Sequence, residues 1–188
     1  MTRIDLPSLA TPLLGIAAWS GAGKTTLLEA LLPQLRSRGL AVAVIKHAHH
    51  EFDVDLPGKD SHRLRQAGAA PMLVASKRRF ALMMETPDRG EPHLGELIAQ
   101  VLTLSPDLIL VEGFKHEALP KLELYREAVG KPLRAFGDLW VRAVATTGAV
   151  RLPEGVERLD LDDHRMLLDW LMAWPVRWPA LRRGPRHE

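Results

Sequence analysis

The stretch AAWSGAGKTT, residues 17–26, lies between an apolar run, LLGIA, and a leucine-rich segment, LLEALLPQLRSRG. A phosphate-binding loop is one reading of it, and a plain strand-to-helix turn is the other. The pattern Gly/Ala, four residues, Gly-Lys-Ser/Thr is met by Ala18, Gly23, Lys24 and Thr25. Gly21 and Gly23 let the backbone bend until successive N–H groups face one concavity, which suits anionic oxygens. A helix starting at Lys24 adds the positive end of its dipole. The Lys24 ammonium is placed to reach β- and γ-phosphates, and the Thr25 hydroxyl suits Mg²⁺. Ala18 in place of the first glycine is a mild departure that keeps the geometry. An apolar strand before and an amphipathic helix after favour the phosphate loop.

The rest of the chain supplies the matching architecture. Residues 13–18, 40–45 (LAVAVI) and 108–111 (LILV) are continuously apolar, the pattern of strands covered on both faces, and 140–146 (WVRAVAT) is a further core strand. Leu27, Leu28, Leu31, Leu32 and Leu35 share a helical face closed by Gly39, with Pro33 expected to kink that helix or weaken its last turns. Asp60 and Ser61 are candidate caps of a second helix through Ala67, ended by Gly68. PMLVAS and RFALMMET read as adjacent strands joined by the basic turn Lys77–Arg79, and 94–104 and 162–173 read as helices. KLELYRE alternates and is expected at an edge or half-exposed. Strands alternating with helices predict an α/β fold of the phosphate-loop NTPase type: a three-layer, open, mostly parallel sheet with helices on both faces. The 188 residues suffice for one such domain, expected over 1–175. Trp170, Trp174 and Trp178 follow at i, i+4 spacing; Pro175 interrupts them, so Trp170 is assigned to the core and the other two stay open.

A triphosphate with Mg²⁺ needs a second anchor, usually an acid at the end of another core strand. Glu112, after LILV and before Gly113, is placed where open α/β sheets bind ligands, although a surface carboxylate at a strand end reads the same way. A third cluster, KHAHHEFDVDLPGKDSHRLRQAG, begins at the end of the second apolar strand. His47 and His49 would face one side of an extended segment and His50 the other, which argues against a dedicated transition-metal site. The segment reads instead as a switch by the γ-phosphate, where one of Asp53, Asp55 or Asp60 reaches Mg²⁺ and Lys46 or Lys59 meets the anion. Lys59 and Arg63 read equally well as solvated residues.

Composition bounds the partners. With 46% hydrophobic and 26% charged residues, and no apolar run near the roughly 20 needed to span a bilayer, no membrane role is expected. No secretory-type segment heads the chain, so the cytoplasm is the expected compartment. There is no cysteine, which excludes disulfides and thiolate metal sites. The net charge of +2 is unevenly placed: the rest of the chain is close to neutral, and the last twelve residues hold Arg177, Arg182, Arg183 and Arg186 against one glutamate. Without interleaved aromatics beyond Trp178 these do not predict nucleic-acid binding, and 176–188 is expected to be a flexible basic tail.

Taken together, AAWSGAGKTTLL, IKHAHHEFDVDLPGKDSHRLRQAGA, ALMMETPD and DLILVEGFKHE resemble the MobB family, the accessory proteins B of molybdopterin-guanine dinucleotide biosynthesis. The match covers roughly residues 12–175, and VEGFKHE with DVDLPGKDS is more distinctive than the loop. The resemblance implies a homodimeric phosphate-loop protein that binds GTP with Mg²⁺, hydrolyses it weakly, and assists the guanylyltransferase that joins GMP to the molybdenum-bearing pterin. It implies that Ser20, Gly21, Ala22, Gly23, Lys24, Thr25 and Thr26 hold the phosphates and that Thr25, Glu112 and Asp60 lie near Mg²⁺. It also implies that 46–63, with Lys46, His47 and Asp60, faces the nucleotide, the pterin or the partner enzyme. One departure stands out: where the family tends to read Ala-Ser-Asp, this chain has Ala145-Thr146-Thr147. Nor can an Asn-Lys-x-Asp guanine motif exist, because the chain contains no asparagine.

Three other readings compete. A small-molecule or nucleotide kinase using ATP would employ Lys77, Arg78 and Arg79 as a lid, but no lid-length insertion or acceptor base is evident. A metal-delivery GTPase would use the histidines, but such proteins usually carry Cys-based sites. A binding module would use the nucleotide only to shape a surface. Efficient hydrolysis needs a residue to orient water and a cation for the transition state. Only Gln66, Arg63 and Lys115 are candidates, so hydrolysis is expected to be slow, and no catalytic residue is assigned.

Overall fold

The computed structural model describes residues 4–48, 52–86 and 90–185. In chain order its elements are β1 (Leu13–Ala18), α1 (Lys24–Ser37), β2 (Val42–Lys46), α2 (Asp60–Gln66), β3 (Met72–Ala75), β4 (Phe80–Met83), α3 (Leu94–Leu102), β5 (Leu108–Glu112), β6 (Lys121–Tyr125), β7 (Val141–Thr146), β8 (Glu157–Asp160), α4 (His164–Met172) and α5 (Trp174–Leu181). The expected single domain divides into two compact units, residues 1–47 with 93–188, and residues 48–92.

The larger unit is the expected α/β layer structure. Six parallel strands run in the order β2-β5-β1-β6-β7-β8. Alternation along each apolar strand feeds two cores, as a strand's period of two requires. Leu14, Ile16, Leu108 and Leu110 meet the Leu27, Leu28, Leu31 and Leu35 face of α1 together with Leu167, Leu168 and Leu171 of α4. Leu13, Ile109 and Val111 point the other way, onto Leu94 and Ile98 of α3. Each fully buried leucine contributes roughly 1.5–3 kcal/mol relative to exposure. α1 continues through Pro33 as far as Ser37.

β6 corrects the expectation of an edge strand. It lies between β1 and β7, and Lys121 through Leu124 are buried. Its charges are matched rather than solvated. Lys121 Nζ donates to Glu117 O at 2.7 Å and Asp138 Oδ2 at 2.8 Å, while Glu123 accepts from the Arg134 and Ala135 N–H groups at 2.8 and 2.9 Å. Burial raises the Glu123 carboxyl pKa, and those two N–H bonds pull it back.

α5 (Trp174–Leu181) runs into the stretch expected as a tail from 176. Pro175 sits in the first turn of α5, where its missing N–H costs nothing, so it starts a helix instead of ending one. Trp174 and Trp178 are buried like Trp170, and their indoles donate to Leu13 O at 3.2 Å and Leu9 O at 2.8 Å. β8 was not visible in the sequence pattern.

The smaller unit contains α2 and the antiparallel hairpin β3–β4, closed by the expected basic turn. Ser76 Oγ accepts the N–H groups of Arg78 and Arg79 at 3.3 and 3.2 Å, which holds that turn. α2 is capped differently from expectation: Lys59 occupies the cap without a side-chain bond, and Asp60 falls within the first turn. None of the described residues 52–86 is fully buried, so polar bonds carry much of the local order. Arg65 is the hub. It donates to Asp55 Oδ1 at 2.9 Å and Glu85 Oε1 at 2.6 Å, and is paired with Asp53.

The hydrogen bonds from Arg65 hold the Asp55 carboxyl below the ordinary value of 3.8. Its contribution is therefore complete above that value and is lost as pH falls through the lower folded pKa. Amide-exchange protection in 60–85 is expected to stay constant from about pH 7 to 5 and to fall only below about pH 4. Arg65→Ala should lose it at neutral pH; wild-type protection in that variant would show that the network does not order the unit.

Candidate functional site

The loop between β1 and α1 has the backbone its sequence demands. Gly21 and Gly23 have φ of 84° and 91°, in the left-handed region that glycine enters without a Cβ penalty. Gly23 forms the N-terminal boundary of α1 with no side-chain cap, and Leu27 N–H returns to Gly23 O at 3.0 Å. The N–H groups of Lys24, Thr25 and Thr26 thus fall in the first turn, where the helix supplies no acceptor. Thr25 and Thr26 are exposed, Lys24 is half-buried, Ser20 is exposed and Ala22 is buried beneath the loop. This concave run of donors with one ammonium and two hydroxyls is chemically suited to phosphate.

Glu112 lies where an acid is needed. β5 pairs with β1 in a register that sets Glu112 opposite Ile16, two residues before the loop begins. Its side chain is largely covered, and Lys46 Nζ stands 3.7 Å from Glu112 Oε2. His47 N–H donates to Glu112 O at 2.9 Å, and the His47 ring stacks on Phe114 with centroids 4.9 Å apart. Lys46, His47 and Glu112 are therefore brought together at the C-terminal edge of the sheet, beside the strand that feeds the loop. A carboxylate and a hydroxyl, the side-chain groups of Glu112 and Thr25, are of the oxygen type that Mg²⁺ takes.

The other candidates fall elsewhere. Asp60 opens α2 in the smaller unit and is exposed, as are Lys59, Arg63 and Gln66. Asp53 and Asp55, two of the three acids expected to reach Mg²⁺, are paired with Arg65. His49, His50 and Glu51 lie outside the described residues. Among the described residues no group of three or more His, Asp or Glu is arranged around a metal position. Lys115 is exposed after β5, and Thr147 is exposed after β7.

Two features were missed. Trp19 is clamped: its indole donates to Pro132 O at 2.8 Å, and the Arg134 guanidinium lies 4.1 Å from its ring centroid. Glu123, by holding Arg134 and Ala135 N–H, fixes the segment that holds Trp19. The second is Arg126, after β6, whose Nε is 4.0 Å from the position a Cβ on Gly23 would take. The alternating charges of KLELYRE carried both signals but read as solvent exposure.

A parallel sheet with this loop after its central strand defines a protein of the phosphate-loop α/β class. The family model for molybdopterin guanine dinucleotide synthesis protein B, MobB, matches residues 13–147. The molybdopterin-guanine dinucleotide biosynthesis adapter protein of Escherichia coli strain K12 is 50% identical over 164 residues, covering 87% of this chain and 93% of that protein. The adapter protein of Haemophilus influenzae is 44% identical over 166 residues, covering 87% and 89%. The crystal structure of Bacillus subtilis MobB superposes with a TM-score of 0.68 at 23% identity, over 87% of this chain and 97% of that one, and shares the fold. The chain belongs to the MobB family.

Proposed function

We propose that this chain is a cytoplasmic adapter in molybdenum cofactor biosynthesis that binds GTP with Mg²⁺ and assists a guanylyltransferase in forming molybdopterin-guanine dinucleotide. The observation that carries this is half-identity to a curated adapter over nearly its whole length, supported by a loop built for phosphate. Residues 20–26 hold the phosphates, with Lys24 meeting the β- and γ-oxygens and the helix N-terminus adding its partial charge. Thr25 and Glu112 would hold the metal, which would supply positive charge against the phosphates. Lys46 orients Glu112, and His47 borders the same edge. The candidates for orienting water or meeting transition-state charge, Arg63, Gln66 and Lys115, are all exposed, so hydrolysis by the isolated protein is expected below roughly one turnover per second.

Calorimetric titration with GTP and with ATP in Mg²⁺ buffer tests the nucleotide, and the rate of dinucleotide formation by the guanylyltransferase with and without this chain tests the role. Preference for GTP and a raised rate are expected. Equal or better binding of ATP, with no effect on the transferase, would sink the adapter reading in favour of a kinase.

The adapter acts as a homodimer. What supports this is the hairpin, where Leu73 pairs with Leu82 and Phe80 lies on the same face, all more than half exposed. A double variant, Phe80→Glu with Leu82→Glu, is expected to sediment as a monomer; an unchanged dimer would move the interface elsewhere.

A further inference from the structure

The strand order β5-β1-β6 gives the loop two unlike flanks. On the β5 flank stand Glu112 and Lys46. On the β6 flank, the register sets Leu124 opposite Ala18, so Arg126 emerges two residues further on, at the level of the loop. Its backbone is extended at φ −128°, ψ 122°, and the turn that follows is closed by Val129 N–H to Arg126 O at 3.0 Å. The side chain thereby reaches Gly23, with Nε 4.0 Å from where a Cβ would stand. Its ion pair is with Asp162 Oδ1 at 3.7 Å, longer than a hydrogen bond, and the two side chains are 40% and 70% exposed. Such a pair is a weak tether, and the guanidinium is available to a better acceptor.

We propose that Arg126 is a nucleotide-binding residue that holds the α-phosphate, at the nucleoside end of the ligand. The proposal rests on reading the loop as the phosphate site. Thr25 and Glu112, the latter on the β5 flank, would hold the metal that accompanies the terminal phosphates. The triphosphate would then run with its terminal end toward β5 and its α-phosphate toward β6, where Arg126 is the cation beside Gly23. A guanidinium suits this position because its planar fork grips two phosphate oxygens at once, whereas an ammonium acts as a point charge. Gly23 matters here beyond its φ of 91°, since a Cβ there would lie in van der Waals contact with the Arg126 side chain.

The test is calorimetry of wild type, Arg126→Ala and Arg126→Lys with Mg-GTP and with GDP, alongside thermal melting. The side chain is exposed, so both variants should melt as wild type does. Arg126→Ala is expected to weaken GTP and GDP by the same factor, about 10- to 100-fold, because both carry the α-phosphate. Arg126→Lys should recover part of that loss. A loss confined to GTP would place Arg126 at the γ-phosphate and overturn the proposal, as would unchanged affinity for both. A wild-type protein that binds neither nucleotide would bring down the loop reading itself, and Arg126 with it. Wild-type binding that is lost in Lys24→Ala but kept in Arg126→Ala would leave the loop reading standing and remove only Arg126.

Discussion

Lys24→Ala is expected to weaken binding of the Mg-bound triphosphate roughly 10- to 150-fold and to leave the fold untouched. Lys24 is the first residue of α1, half-buried, and it lies one turn before Leu27, Leu28, Leu31 and Leu35, the residues through which the helix enters the core. Alanine is the best helix former, so truncation removes an ammonium without disturbing the turn. A charge-assisted contact contributes about 1.5–3 kcal/mol, and about 1.4 kcal/mol is a factor of ten, which sets the range. The backbone N–H groups of the first turn survive the substitution, so some affinity should remain. Calorimetry with GTP reads the loss, and a melting curve checks the fold. Affinity equal to wild type would end the phosphate-loop interpretation, because no other cation lies inside the loop sequence.

What the sequence made legible was local. The loop could be read because all of its requirements fall within ten residues: two glycines, a lysine and a threonine between an apolar run and a leucine face. β1 and β5 could be read because strands buried on both faces are continuously apolar. β6 could not, because Lys121 and Glu123 are buried against Asp138 and the N–H groups of Arg134 and Ala135, partners 17, 11 and 12 residues away. Misplacing that strand hid Arg126, whose approach to Gly23 exists only if β6 lies next to β1. Pro175 was read as an interruption, although the same residue is favoured in a first turn; only the burial of Trp178 decides between the two. The acids 53 and 55 had the right chemistry for a metal, and nothing in their spacing revealed that Arg65 already claims them.

Gly113→Ala is expected to destabilise the protein by about 2–5 kcal/mol, summing backbone strain and overpacking. Gly113 has φ 98°, and a Cβ there would stand 2.7 Å from His47 Cβ and 3.1 Å from His47 O. His47 has nowhere to retreat. Its N–H is bonded to Glu112 O at 2.9 Å, and its ring is stacked on Phe114. The overlap must therefore be relieved by separating the ends of β2 and β5, which hold Lys46 and Glu112. For a chain of this size the melting temperature should fall by roughly 5–15 °C, and the Mg²⁺-dependent part of nucleotide affinity should fall with it. Gly21→Ala is the control. Its φ is 84°, yet nothing lies within 4 Å of its Cβ position, so it should cost only the strain, about 1–2 kcal/mol. Denaturant unfolding of the two variants separates strain from contact. If Gly113→Ala proves no more costly than Gly21→Ala, the strands do not approach so closely there, and the tie between His47 and Glu112 loses its structural basis.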